Sequence, residues 1–458
     1  MPAGWRIETL SAVVDLNPRQ WTSPAAAHDS VSFVPMAAVE ADTGRLDTST
    51  SRTASDVSKG YTRFQDGDVL FAKITPCMEN GKCAVARNLI GGRGAGSTEF
   101  HVLRPGASLS ADFLFYYVLQ DSFRRVARSH MKGTAGQLRV PEQFLRDVEL
   151  PLPPPNEQDR IVAEIEKQFT RIDAATAILR AAQTKLATHR AAVLAAACRG
   201  AYDGGTNGPE ADRTSQQVLR AFVLKERDRQ LQGAGRRKGP VPPDRLNAPT
   251  PPPGWTLLSL DELTIQITSG SRNWSKFYGA GGDTFVLAKN IRPMSLELKD
   301  PQLIAAPQND AEAARTRIQR DDLLVTIVGA NTGDVCRVPH DFSNHFVCQS
   351  VALLRPAIPA SARFLELYLA SPNDGQSQWR RNIYGQGRPH LSFDQLRVTA
   401  IPFPPLSEQE RIVIETEQRL SAVSAMQADL ARCVAKAAAL RRAVLRSAFD
   451  GRLPFGEQ

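Results

Sequence analysis

The chain has 458 residues, of which 42% are hydrophobic and 23% charged, with a formal net charge of +8 carried by 44 arginines and 12 lysines against 48 acids. That length exceeds one ordinary core and calls for two or three domains. No run of 18 apolar residues occurs, which excludes a membrane-spanning helix, and Met1–Leu10 lacks the apolar centre of a signal peptide. Cys77, Cys83, Cys198, Cys336, Cys348 and Cys433 are scattered without a C-x-x-C pair, as expected of free thiols in a reducing cytoplasm. The positive balance suits a polyanionic partner, nucleic acid being the commonest, although the arginine and alanine bias would also follow from a GC-rich genome.

In chain order, residues 1–153 read as a mixed α+β domain of short apolar runs broken by Gly, Pro, Asn and Asp. Val69–Ala72 is expected to be a buried strand and Phe113–Val126 a helix. Gly91–Gly96 is glycine-dense but lacks phosphate-loop spacing, and a surface loop is the expectation. Residues 154–200 read as one long helix after Pro153-Pro154-Pro155, with Asn156 as N-cap and Glu157 and Asp159 at the positive helix end. Residues 201–253 read as a linker with a short helix around Gln216–Gln232 and a basic Arg236-Arg237-Lys238. Residues 254–404 form a second α+β domain, with strand Leu323–Val328 and helix Phe364–Leu369. Residues 405–458 form a second long helix and tail, opening on a Ser407-x-x-Glu410 capping box.

Each long helix runs about 43 residues, or ~65 Å. Ile165, Ile172, Leu179, Leu186 and Val193 recur every seven positions, with Ala175, Ala182 and Ala196 on a second line. The second helix carries Val423, Leu430, Ala437 and Val444 in one frame and Met426, Cys433 and Leu440 in the other. Such stripes need a partner helix, and the paralogous helix is the natural one.

The strongest signal is a repeat. Gly4-Trp5 recurs as Gly254-Trp255, the Asp68 strand as the Asp322 strand, Arg104-Pro105 as Arg355-Pro356, and the Glu157-Gln158 helix start as Glu408-Gln409, at offsets of 250 to 254. The fold class expected is therefore α+β: two similar domains separated by two long helices forming an antiparallel coiled coil, in a pseudo-two-fold repeat.

No G-x-x-x-x-G-K-[ST], H-E-x-x-H or Asn-Pro-Pro-aromatic signature occurs, and the seven histidines have no metal-ligand spacing. No catalytic site and no metal is expected in this chain, and the paired Asp321-Asp322 reads as structural. What remains suits DNA contact. Lys73, Thr75, Asn80 and Lys82 follow a strand, Arg93 sits in the glycine-dense stretch, and Lys132, Thr134, Gln137 and Arg139 form a second loop. In the second half the candidates are Arg272, Asn273, Lys276, Lys289, Asn290, Asn331, Thr332, Gln386, Arg388 and His390. Cations reach phosphate and guanine, while Asn and Gln can bond adenine bidentately; each residue alone is equally readable as an ordinary polar turn.

The Pro-Leu-Ser-Glu-Gln-Glu-Arg-Ile-Val run at 405–413, its twin at 155–162, and the helix endings Ala191–Leu194 and Arg442–Gly451 resemble the specificity subunit of type I restriction–modification systems. Lys73–Lys82 with Gly96–Pro105 looks like one of that family's target-recognition types. The first helix departs from the pattern, ending Cys198-Arg199-Gly200 where the second ends Phe-Asp-Gly. The resemblance implies that each domain reads half of a split double-stranded DNA target and that the helices set the gap. It further implies that two methyltransferase subunits dock on the helices. S-adenosylmethionine, ATP and magnesium would then sit on the methyltransferase and restriction/translocase partners, with none in this chain. A self-contained methyltransferase or endonuclease and a coiled-coil scaffold remain as alternatives.

Overall fold

The computed structural model describes all residues except 1, 3, 135, 201–208, 233–238, 247, 271–273, 308–309, 382, 386, 388 and 454–458. The chain folds into two compact units, one of Met1–Ala181 with Leu430–Gln458, the other of Ala182–Asp429. The two long helices, Pro155–Cys198 and Leu406–Phe449, each contribute to both units.

In the first unit a four-stranded sheet runs in the order Val14–Leu16, Phe100–Pro105, Val69–Ala72, Cys83–Val85. The run Val69–Ala72 is wholly buried because its alternate side chains enter two different cores. Val69 and Phe71 join the cluster around Leu114 and Ile165, whereas Leu70 and Ala72 join that around Phe64 and Phe100. A second sheet orders Ser51–Thr53, Ser30–Val34, Arg93–Gly96 and Thr62–Gln65. The second unit repeats the first sheet as Thr264–Ser269, Val351–Pro356, Leu323–Thr326, Val335–Arg337, again with alternate residues in two cores. Its second sheet keeps the parallel pairing: Thr284–Val286 lie beside His345–Val347 as Ser32–Val34 lie beside Gly94–Gly96.

Two of the repeated sequence blocks meet in space. Arg104 donates through Nε and Nη2 to the two carboxylate oxygens of Asp68, both at 2.8 Å, and Arg355 clamps Asp322 at the same two distances. Both aspartates are almost fully buried and also accept a backbone N–H, from Gln65 and Gln319 respectively. Their role is structural.

Within the first unit the helices run antiparallel. Gln158, near the start of the first helix, accepts from Ser110 N at the head of helix Ala111–Leu119. Phe449, at the end of the second helix, packs on Phe113 and Tyr117 of that same helix. Farther along, Arg441 pairs with Asp173 at 2.6 Å and lies over the Phe169 ring. In the second unit Val193–Cys198 share a core with Trp255, Phe364, Ile412 and Leu420.

Four local expectations differ from the structure. The helices begin at Pro155 and Leu406, one residue before the expected N-caps, so Asn156 and Ser407 lie inside the first turn. Proline suits the first helical position because its missing N–H would be unpaired there anyway. The Phe113–Val126 stretch is two helices, Ala111–Leu119 and Asp121–Ser129, broken where Gln120 turns to ψ 137°. The heptads are buried unevenly: Ile165, Ile172, Val193, Val423 and Val444 are buried and Leu179, Leu186, Leu430 and Ala437 half-buried, whereas on the second line Ala182 and Ala196 are half-buried, Ala175 and Cys433 exposed, and Met426 and Leu440 over half exposed. Finally, Gly91–Gly96 is a surface turn only at its start, in Ile90–Gly92. Arg93–Gly96 is an inner strand in which a side chain at Gly94 would strike the Phe64 ring and one at Gly96 the Val34 carbonyl. There, small size serves close packing.

The linker helix spans Pro209–Gln230 and buries Val223 and Arg227 against the second domain. Residues after it form a strap: Val241 N bonds Asp261 Oδ2, Ser259 Oγ donates to Val241 O, and Asp244 N bonds Val398 O at 3.0 Å. The corresponding face of the first domain is an open groove of about 650 Å³ lined by Tyr117, Phe123, Phe144 and Phe449.

Candidate nucleic-acid interface

The first domain brings its two candidate loops together. Val140 N donates to Lys73 O at 2.8 Å, Thr75 N to Leu138 O at 3.0 Å, and Ile74 forms a bridge with Arg139. Thr75 Oγ1 accepts from Leu138 N and donates to Gly136 O, so its hydroxyl joins the loops. The second loop is a β-hairpin, Lys132–Thr134 against Gln137–Arg139, with Lys132, Thr134 and Gln137 exposed. Asn80 is exposed at the far end of the first loop. That loop is held from behind by residues that no sequence motif singled out: Arg124 bonds Glu79 O and Asp42, and Arg128 pairs with Glu79 at 2.8 Å.

Three candidates are committed to the fold. Lys82 Nζ donates to Met36 O at 2.9 Å. Arg93, in the inner strand, bonds Ser23 O at 3.0 Å and pairs with Asp29. Asn290 is buried, accepting from Leu287 N and donating to Glu297 O, and so closes a turn.

The second domain repeats the junction. Leu391 N donates to Ile327 O at 2.9 Å and Val328 bridges His390, the counterparts of Lys73–Val140 and Ile74–Arg139. Thr332 Oγ1 donates to Gly329 O and Pro389 O, tying the Asn331-Thr332 turn to the Tyr384–His390 loop. The His390 ring packs at a tilt against Tyr384, centroids 5.1 Å apart, and its Nδ1 has no hydrogen-bond partner among the described residues. Lys276 lies over Phe277 and is exposed, as is Lys289. Arg272, Asn273, Gln386 and Arg388 lie outside the described residues.

The electrostatics differ between the domains. In the first, Glu99 accepts from Arg139 Nε at 2.9 Å and Nη2 at 2.8 Å, which holds its carboxyl below the usual range. Behind it, His101 Nε2 bonds Val140 O at 2.8 Å, and Asn17 links His101 to Glu142. Burial pushes the His101 imidazole down, against the raising effect of the Val140 carbonyl. In the second, Ser350 and His390 stand where Glu99 and Arg139 stand, and with Ser269, Gln349 and Arg397 they line a cavity of about 790 Å³.

Known proteins resemble this chain in sequence and in fold. The profile of the type I restriction modification DNA specificity domain matches residues 304–426. The specificity subunit of type I restriction enzyme EcoEI from Escherichia coli is 27% identical over 91% of this chain and 78% of its own length. That of EcoAI, from the same organism, is 25% identical over the same shares. Residues 304–426 thus match a type I DNA specificity domain, and over most of its length the chain is similar to specificity subunits of type I restriction enzymes. A chain from a solved structure concerned with the assembly and conformational transition of a type I system shares this fold, with a TM-score of 0.69, 22% identity and 99% of each chain covered. Among the described residues, no helix is long and apolar enough to cross a membrane, and no group of three His, Cys, Asp or Glu could hold a metal ion.

Proposed function

We propose that this subunit reads a bipartite DNA target, one half-site per domain, and that its two long helices fix the gap between them. The observation carrying this reading is the repeated junction: each domain joins the loop after its central strand to a second polar loop by the same backbone bond, Val140 N to Lys73 O and Leu391 N to Ile327 O. A doubled reader on unbroken 44-residue helices suits a target split by a fixed distance, since B-DNA turns once per ~34 Å and spacing also sets facing. The subunit itself performs no chemistry in this reading. Methyltransferase subunits dock on the helices, where Met426 and Leu440 offer exposed apolar side chains. S-adenosylmethionine, ATP and magnesium belong to those methyltransferases and to a restriction/translocase subunit.

The test is selection from a random duplex library by the chain co-expressed with its methyltransferase, at two salt concentrations. A split motif of fixed gap, bound more weakly at high salt, is expected. Adding one helical turn to both long helices should change the gap and leave the half-sites unchanged; altered half-sites would overturn the ruler, and a stable complex with no enriched motif would leave a scaffold.

A further inference from the structure

Arg139 differs from the other candidate cations in being aimed. A lysine or a loosely held arginine on a surface loop neutralises phosphate but selects no base. Arg139 sits on the exposed hairpin at its junction with the Lys73 loop. Its Nε donates to Glu99 Oε2 at 2.9 Å, its Nη2 to Glu99 Oε1 at 2.8 Å, and its Nη1 to Gln137 O at 3.2 Å. A guanidinium has five N–H donors in a rigid plane. Three are used here, leaving one on each terminal nitrogen. The side chain stays 42% exposed and Glu99 26%.

The anchor is itself fixed. Glu99 O accepts from Lys73 N at 2.9 Å, so the carboxylate belongs to the same junction as the hairpin. The residue after Arg139 is pinned twice, through Val140 N to Lys73 O and Val140 O to His101 Nε2. Fixing both the backbone and the plane of the fork removes most of the entropy that an arginine otherwise loses on binding. A planar pair of donors held in one orientation matches the O6 and N7 acceptors of guanine in the major groove, and no other base presents two acceptors there.

We propose that Arg139, oriented by Glu99, reads a guanine in the half-site of the first domain, and that the second domain does not repeat this pair at the paralogous Ser350 and His390. The second part follows from the paralogous positions: Ser350 cannot hold a guanidinium bidentately, and His390 carries no fork. The inference rests on the bipartite reading above and adds a base identity to it.

The experiment is the same library selection, run on the wild-type complex and on complexes carrying Arg139→Ala, Arg139→Lys and Glu99→Gln. The wild type is expected to enrich a guanine, or cytosine on the complementary strand, by on the order of 10- to 100-fold at one position. Arg139→Ala and Arg139→Lys should flatten that position alone. Arg139→Lys keeps the charge and tolerates the exposed site, so it reports even should the alanine variant assemble poorly. Glu99→Gln should reduce the guanine preference while overall affinity holds or rises, because a negative charge near DNA has been removed; a purely structural pair would instead lower affinity for every sequence alike. A wild-type split motif in which none of these variants relaxes a single guanine overturns the proposal and leaves bipartite reading intact. No split motif at all removes both.

Discussion

The two domains share one frame and differ where they would meet DNA. In both, a buried arginine–aspartate clamp closes the central sheet with the same two 2.8 Å contacts, and the same backbone bond joins the two loops. Around that junction the first domain is filled by Glu99, Arg139, Asn17, His101 and Glu142, whereas the second leaves a cavity of about 790 Å³ beside Ser350 and His390. The reverse holds at the opposite groove, covered by the linker strap in the second domain and open in the first. Duplication thus kept what folds each domain and released what faces outward.

The largest effects should come from the shared frame. Asp68→Ala strands Arg104, and Asp322→Ala strands Arg355. Breaking a buried pair costs about 3–5 kcal/mol, because the remaining charge stays desolvated. The two losses should be similar, each confined to its own domain, as read by hydrogen exchange of the sheet amides in each. A markedly smaller loss in one domain would break the equivalence. Next comes the helix seam. Ile165→Ala empties a fully buried site and should cost ~2–5 kcal/mol. Leu440→Ser, 54% exposed in the chain alone, should shift stability by no more than ~0.5 kcal/mol. If methyltransferase subunits cover that line, co-purification with them should fall even so.

A smaller difference is expected at the domain entrances. Ser259 caps the short helix Leu260–Leu263 in a capping box with Glu262 and also donates to Val241 O of the strap. Thr9, its counterpart, makes no side-chain cap bond. Ser259→Ala should therefore cost ~1 kcal/mol and loosen the strap, while Thr9→Ala should be close to neutral. Protease cleavage near Val241, with and without the substitution, reads the strap directly.

What was legible in the sequence follows from how locally each feature is encoded. The clamp was present as two recurring pairs of motifs, Asp68 with Arg104-Pro105 and Asp322 with Arg355-Pro356, and the central strands as apolar runs. The long helices were legible because nothing within 44 residues interrupts them. The glycines of Arg93–Gly96 misled, since glycine density reads as a loop unless the Phe64 ring that requires it is known to lie opposite. The second heptad line misled because periodicity reports which residues could face a partner and not whether this chain supplies one. Among the candidate contacts, sequence alone could not separate Lys82 and Asn290, tied to distant backbone carbonyls, from Lys132 and Gln137, which stand exposed on the hairpin. Glu99 lies immediately before an aligned block, but its partner is forty residues away.

The smallest expected effect is one of pH, and it separates the domains again. His101 is buried against Val140 O, with Asn17, Lys73, Glu99 and Glu142 around it, and burial is the main cause of its lowered pKa. At neutral pH the imidazole is uncharged folded or unfolded, so nothing is lost. As pH falls below the ordinary histidine value of about 6.5, the unfolded chain takes up a proton that the folded site refuses, and stability falls until the lowered folded pKa is passed. The counterpart of His101 in the second domain is Ala352, so only the first domain should weaken by this route. His101→Gln keeps a hydrogen-bonding group toward Val140 without a titrating ring. Comparing urea midpoints of each domain at about pH 7.5 and about pH 5.5 should show an acid loss in the wild-type first domain that is reduced in the variant. An equal acid loss in both proteins would assign it to another group.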